Sequence, residues 1–159
     1  MGCPFKIKGY DHIKVALRDI PAFEAVLKNF GFIPVDQVPA KLNAPDSTWA
    51  SGDAVFCLYR SDHPEAKMHF DLHGDTVFDL SFWVESFEKH PMLFEGVGKM
   101  KHTLVTERSF PSFPSIRGIL RFDHNTLNVD RGELESTVKQ YLANFGFEKG
   151  QYFDIKGKE

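Results

Sequence analysis

The sequence contains only two cysteines, Cys3 and Cys57, at no repeating spacing. That excludes a disulfide-built scaffold, and lone thiols suit a reducing compartment. No apolar run approaches the ~20 residues that a membrane span requires, and the N-terminus lacks the apolar core of a signal peptide. Met1-Gly2-Cys3 begins like a myristoylation site, but Lys6 stands where Ser or Thr is needed. Together these absences point to the cytoplasm and away from membranes. Positive charge is not in excess either: 19 Lys and Arg against 22 Asp and Glu leave a net charge of −3. Such a surface offers nucleic acid and anionic lipid no attraction. The chain also has no Gly-x-Ser-x-Gly elbow and no phosphate-binding loop, and Gly96-Val97-Gly98 lacks the further glycine of a dinucleotide fingerprint.

What is abundant is phenylalanine, with 16 residues, which predicts a large aromatic core. An internal repeat is also present. Tyr10-Asp11-His12 leads through an amphipathic stretch to Asn29-Phe30-Gly31-Phe32, and Phe122-Asp123-His124 leads likewise to Asn144-Phe145-Gly146-Phe147. The distance from His to Gly is 19 residues in the first copy and 22 in the second. Each copy reads as strand, helix, strand.

In the first copy, Ile13, Val15 and Leu17 alternate with polar or small residues, the period of a half-buried strand. Asp19 stands at an N-cap position with Pro21 in the first turn. Phe23, Val26, Leu27 and Phe30 form an apolar helix face, and Gly31 is the stop. Extended structure resumes over 32–38. In the second copy the helix face is Leu134, Val138, Tyr141, Leu142 and Phe145, with Asp130 as N-cap and Gly146 as stop. Between the copies, strands are predicted over 47–51 and 54–60, joined by a turn at Gly52-Asp53. Further strands follow over 77–84 and 101–107. Pro91, Gly96 and Gly98 leave only a stub of helix between those two. Ser109-Phe110-Pro111-Ser112-Phe113-Pro114-Ser115 is a proline-punctuated linker. The predicted division is therefore an N-terminal domain over 1–115, with two βαβββ modules of which the second is shortened, and a βαβ fragment over 116–159. The fold class is α+β, with tandem βαβββ modules and mixed, mainly antiparallel curved sheets.

Tandem βαβββ units with a His on the first strand resemble the vicinal oxygen chelate, or glyoxalase-like, superfamily. The stretch from Phe122-Asp123-His124-Asn125 to Asp130-Arg131-Gly132 resembles the opening of the catalytic domain of 4-hydroxyphenylpyruvate dioxygenases. Tyr152-Phe153-Asp154-Ile155-Lys156-Gly157 is similar to a run on that family's next strand, and residues 73–82 resemble its second N-terminal module. The resemblance implies Fe(II) held by two His and one carboxylate, a small aromatic 2-oxo acid and O2 as substrates, and homogentisate as product in tyrosine catabolism. Residue by residue it implies one iron ligand, His124. The other two belong to later strands of the family's catalytic domain, and the sequence given ends at Glu159. Hydroxymandelate synthase, a close relative, has the same iron ligation. In metal-binding relatives, first- and last-strand positions correspond to His12, Phe56, Asp79 and Leu104. Phe and Leu cannot ligate, so the N-terminal module is expected to hold no metal.

Single residues have blander readings. His12 is expected to be a strand residue bonded to a neighbour. His69 and His73, four apart, would share a helix face, but Gly74-Asp75 directly after them predicts a turn or strand edge. His63, His90 and His102 have no partner at ligand spacing, and Cys57 sits in an apolar strand as a small hydrophobe. Two further readings compete with a dioxygenase. One is a non-catalytic module of this fold that dimerises or binds a small aromatic ligand; a homo-oligomer follows from sheet edges left by missing strands. The other is a metal dimer joining His12 and Asp79 of one chain to His124 of another.

Overall fold

A computed structural model describes residues 5–86 and 93–150. Its strands are β1 (Ile7–Leu17), β2 (Ile33–Pro34), β3 (Ser47–Ser51), β4 (Ala54–Arg60), β5 (Thr76–Val84), β6 (Leu93–Glu95) and β7 (Lys101–Val105). Its helices are α1 (Ile20–Asn29), α2 (Lys67–His73) and α3 (Leu134–Phe145). The seven strands form one mixed sheet in the order β2-β3-β4-β1-β5-β7-β6. β1 runs antiparallel to β5 at the centre, with β4 parallel to β1 and β7 parallel to β5. The outer pairs are antiparallel. The second half thus repeats the first about the β1–β5 seam, the tandem-module α+β arrangement expected from the strands predicted over 47–60 and 77–107.

Alternation along each strand sorts residues onto two faces. On one face Ile13, Val15, Leu58, Leu80, Phe82 and Leu104 pack beneath α1 and α3. On the other, Ala16, Cys57, Tyr59 and Phe78 pack with Leu42, Ala66 and Phe110. Cys57 is fully buried, as its apolar neighbours predicted, and burial pushes its thiol up to about 12.

Local signals in the first copy hold. Asp19 Oδ1 accepts the Ala22 N–H at 3.0 Å, and Gly52-Asp53 turns β3 into β4. The face of α1 is rotated from expectation, however. Ile20 and Leu27 are its buried residues, whereas Val26 and Phe30 point to solvent. Ile20, at the first helical position, extends the stripe through Phe23 to Leu27 and draws the helix round.

Other expectations fail. Lys67–His73 is a helix rather than a turn or strand edge. Ala66 and Phe70 anchor it in the second core, Lys67 pairs with Asp71 at 2.6 Å, and Gly74 is its stop. The second aromatic-Asp-His stretch is coil rather than strand, and among the described residues no strand pairs with it. Phe122 instead lies edge-on to Phe56 at 4.9 Å and to Tyr10 at 5.8 Å. Residues 109–115, the proline-punctuated linker, pack as a strap. Phe110 is buried, Ser109 N–H donates to Asp11 at 2.7 Å, and Phe113 N–H donates to the Gly52 carbonyl at 2.8 Å.

α3 begins after Glu133 with no side-chain cap, so Asp130 is not its N-cap, and it ends at Gly146 in a left-handed conformation. Tyr141 and Phe145 are its buried residues, with Leu134 exposed. The helix docks over β5, β6 and β7, where the shortened second module has no helix of its own among the described residues. The run 152–157 and His90 lie outside the described residues.

Burial of two imidazoles gives a pH expectation. His102 Nε2 lies 2.7 Å from the Tyr141 hydroxyl and Nδ1 lies 3.3 Å from the Leu80 carbonyl. His69 is stacked on Phe78 at 5.2 Å. Burial lowers the pKa of both below the ordinary 6.5, and for His69 the nearby Lys101 charge adds to it. Below pH 6.5 the unfolded chain binds protons that these rings refuse when folded. Their contribution is complete above that pH and declines as the pH falls through the folded values. Urea midpoints are therefore expected to drop between pH 7.5 and pH 5; a flat or rising profile contradicts the assignment.

Candidate functional site

The sheet pairing passes from Tyr10–Phe82 directly to His12–Ser81, so Asp11 is the extra residue of a β-bulge. A bulge lets side chains of adjacent residues meet. Asp11 Oδ2 lies 2.8 Å from His12 Nδ1, and both side chains are fully buried. Burial raises the Asp11 carboxyl, but hydrogen bonds from His12 and Ser109 outweigh it and hold the carboxyl below its ordinary value. An ionised Asp11 accepts the Nδ1–H, which fixes the ring's tautomer and turns Nε2 away from the pair. That Nε2 is buried and has no hydrogen-bond partner.

The same face carries a second polar group. Lys14, 6% exposed, places Nζ 3.4 Å from Glu65 and 3.9 Å from Asp79. Asp79 accepts the Thr103 hydroxyl at 2.6 Å and the Thr103 N–H at 3.0 Å. Burial raises the Glu65 carboxyl, but Lys14 and Asn43 outweigh it and keep it low. A cavity of about 350 Å³ opens here, lined by His12, Lys14, Thr103, Ser109 and residues 41–42.

The register corrects the positions assigned from the metal-binding relatives. Cys57 lies beside Lys14 and Thr103 bonds Asp79, so these flank the His12 face. Phe56 and Leu104 belong to the opposite, helix-covered face.

His124, the expected iron ligand, lies on the exposed coil before α3. Its Nδ1 is 2.8 Å from Asp123 Oδ2, and the two side chains are 80% and 88% exposed. Both repeat copies therefore build the same Asp–His pair, one buried and one open. The copies also touch: the Tyr10 hydroxyl donates to Asn125 Oδ1 at 2.5 Å. Among the described residues no group of three or more His, Cys, Asp or Glu side chains gathers in metal-binding geometry. His69 and His73 do share a helix, but His73 Nε2 lies 2.9 Å from the Gly98 carbonyl and the His69 ring lies against Phe78. His63 Nδ1 accepts the Glu65 N–H at 3.1 Å.

Sequence reasoning missed Lys14, Thr103 and Ser109. The one available signal was the Asp11-His12 doublet, which breaks the strand's alternation and so marks the bulge.

This fold joins a βαβββ half edge to edge with a shorter second half of three described strands. Solved structures sharing it include a triple mutant of 4-hydroxymandelate synthase from Streptomyces coelicolor, 20% identical with a TM-score of 0.66 over 98% of this chain and 57% of that one. Another is a xylose isomerase-like TIM barrel/4-hydroxyphenylpyruvate dioxygenase fusion protein, 16% identical with a TM-score of 0.76 over 99% of this chain and 30% of that one. The chain thus spans little more than half of the first and under a third of the second. No protein-family model matches the sequence, and no curated protein matches it either.

Proposed function

We propose that the chain serves an Fe(II) dioxygenase of the 4-hydroxyphenylpyruvate type, with a small aromatic 2-oxo acid and O2 as substrates. Residues 116–159 would be the opening of its catalytic domain and the cytoplasm its compartment; among the described residues no helix is long and apolar enough to cross a membrane. The observation that carries this reading is the His124–Asp123 pair. Asp123 accepts the Nδ1–H, fixing the tautomer that leaves the Nε2 lone pair outward, and a carboxylate behind the ring is the usual support of a metal-ligating imidazole. The fold and the motif at 122–132 support the same reading.

The described residues do not themselves fit an iron centre, because they bring one imidazole where three ligands are needed. No step through iron is therefore derived; the role of this chain is to hold one oriented imidazole. The test is oxygen uptake after anaerobic Fe(II) loading with 4-hydroxyphenylpyruvate added. Uptake is expected to fall to background in His124→Ala and about 10–100-fold in Asp123→Asn. No uptake by folded protein defeats the reading for this chain. Self-association belongs to the proposal; a monomer in light scattering of the same sample counts against it.

A second reading, a non-catalytic module that binds a small ligand, is favoured by the cavity beside His12.

A further inference from the structure

α3 meets the sheet through a buried polar contact as well as through rings. His102, on β7, is fully buried, with its ring stacked on Phe82 at 5.5 Å and met edge-on by Tyr141 at 5.4 Å and Phe145 at 5.0 Å. Both ring nitrogens are used inside this aromatic cage. Nδ1–H donates to the Leu80 carbonyl at 3.3 Å, which leaves Nε2 to accept the Tyr141 hydroxyl at 2.7 Å. Only the neutral ring makes both bonds in this sense. Protonation would set an N–H donor against the Tyr141 hydroxyl, which bonds no other acceptor among the described residues. Gly96 keeps the room for this pair. A Cβ there would stand 2.5 Å from the Tyr141 hydroxyl oxygen and 2.8 Å from His102 Nε2, although its φ of −100 is open to any residue. Besides Tyr141, the titratable and charged residues on the surrounding elements are Asp79 on β5, Glu95 on β6, Lys99 and Lys101 at the start of β7, and Glu135 and Lys139 on α3. Of these, Asp79 draws the ring toward its charged form, but it is engaged by Thr103 and burial outweighs it.

We propose that the His102–Tyr141 bond is a proton-sensitive latch: uptake of one proton by His102 releases α3 before the rest of the fold opens, baring Phe5, Phe82 and Phe94 beneath Phe145. Undocked, the imidazole regains its ordinary 6.5, whereas burial holds it lower while docked. Docking is therefore strongest above pH 6.5 and weakens about tenfold per pH unit below it, until the docked ring also takes a proton. α3 has 12 residues, a length at which a helix alone in water is marginal, so once undocked it loses its backbone hydrogen bonds. The latch uses neither His124 nor a metal, so it stands or falls apart from the dioxygenase reading.

Amide hydrogen exchange of the whole chain between pH 7.5 and pH 5, corrected for the intrinsic pH dependence of exchange, tests the latch. Protection of the amides over 138–145 is expected to fall about tenfold per pH unit below 6.5. The β1 and β4 amides, which open only with the whole fold, are expected to stay better protected throughout. His102→Leu is expected to flatten the α3 profile. His69→Gln, which alters the other buried imidazole, stacked on Phe78 in the second core, is expected to leave the α3 profile as steep as in the parent. Gly96→Ala keeps both rings but pushes the Tyr141 hydroxyl off His102, and it is expected to cut α3 protection about 5-fold at pH 7.5, the equivalent of one hydrogen bond. A level α3 profile in the parent, or exchange of α3 in step with β1 and β4, would overturn the latch. So would a slope that survives His102→Leu, a slope lost in His69→Gln, or unchanged α3 protection in Gly96→Ala.

Discussion

Gly52→Val is expected to lower unfolding free energy by about 4 kcal/mol, through a left-handed penalty of roughly 1–2 kcal/mol and the loss of several hydrogen bonds at about 1 kcal/mol each. Gly52 holds φ +57, and a Cβ there would stand 2.3 Å from the Leu120 carbonyl oxygen and 2.7 Å from its Cα. Both contacts are to backbone, so no side-chain rotation relieves them. Around this turn the strap is tied down: Asp53 N–H donates to Leu120 O at 2.6 Å, Arg108 reaches Asp53 at 2.7 Å, and Ser51 Oγ donates to Ile119 O at 2.7 Å. Moving Leu120 aside disturbs all three. Equilibrium unfolding in urea measures the effect; a loss below about 1 kcal/mol, within the range of ordinary surface changes, would show that the strap is loosely held.

The second large effect is expected from Phe145→Ala, at about 3–4 kcal/mol for deleting a buried aromatic ring. Phe145 is 3% exposed and lies within 6.4 Å, centroid to centroid, of Phe5, Phe82, Phe94, His102 and Tyr141. It is the peg by which α3 covers the second half of the sheet. Loss of the ring is expected to release the helix, so limited proteolysis should cut within 116–133 faster than in the parent. Unchanged stability together with an unchanged cleavage pattern would mean that α3 is held by something other than this ring.

Much of the fold was legible because its signals are local. Asp19 before Pro21, Gly52-Asp53 between two apolar runs, and Gly146 after Phe145 each work through the backbone of a few residues, and each appears where the sequence puts it. The strand signals over 47–60 and 77–84 marked the tandem halves, whereas the second copy of the aromatic-Asp-His repeat lies in coil and α3. Several of the misses depend on partners distant in sequence. Phe122-Asp123-His124 has the composition of β1, but among the described residues no strand pairs with it, so tertiary context overrides its propensity. α2 was hidden because Gly74-Asp75 marks a helix stop as readily as a turn. The candidate site was legible only in part. His12 and Asp79 stood out as residue types, but the cavity depends on Ser109 arriving from 98 residues downstream of Asp11, a distance at which periodicity carries no information. His124 was singled out from its motif, and what the structure adds is the carboxylate that orients its ring.

The docking of α3 bears on how the chain is made. Synthesis runs from the N-terminus, so Phe5, Phe82, Phe94 and Leu104 leave the ribosome well before Phe145, the ring that seals them. Until then one broad aromatic surface stays wet on a sheet whose strands are otherwise paired. The final closure joins residue 5 to residue 145, nearly the longest loop the described chain can form, and long-range contacts of this kind slow folding. A stalled or prematurely ended message would yield a nascent protein with that surface open, the kind of species that chaperones retain and that aggregates when they do not.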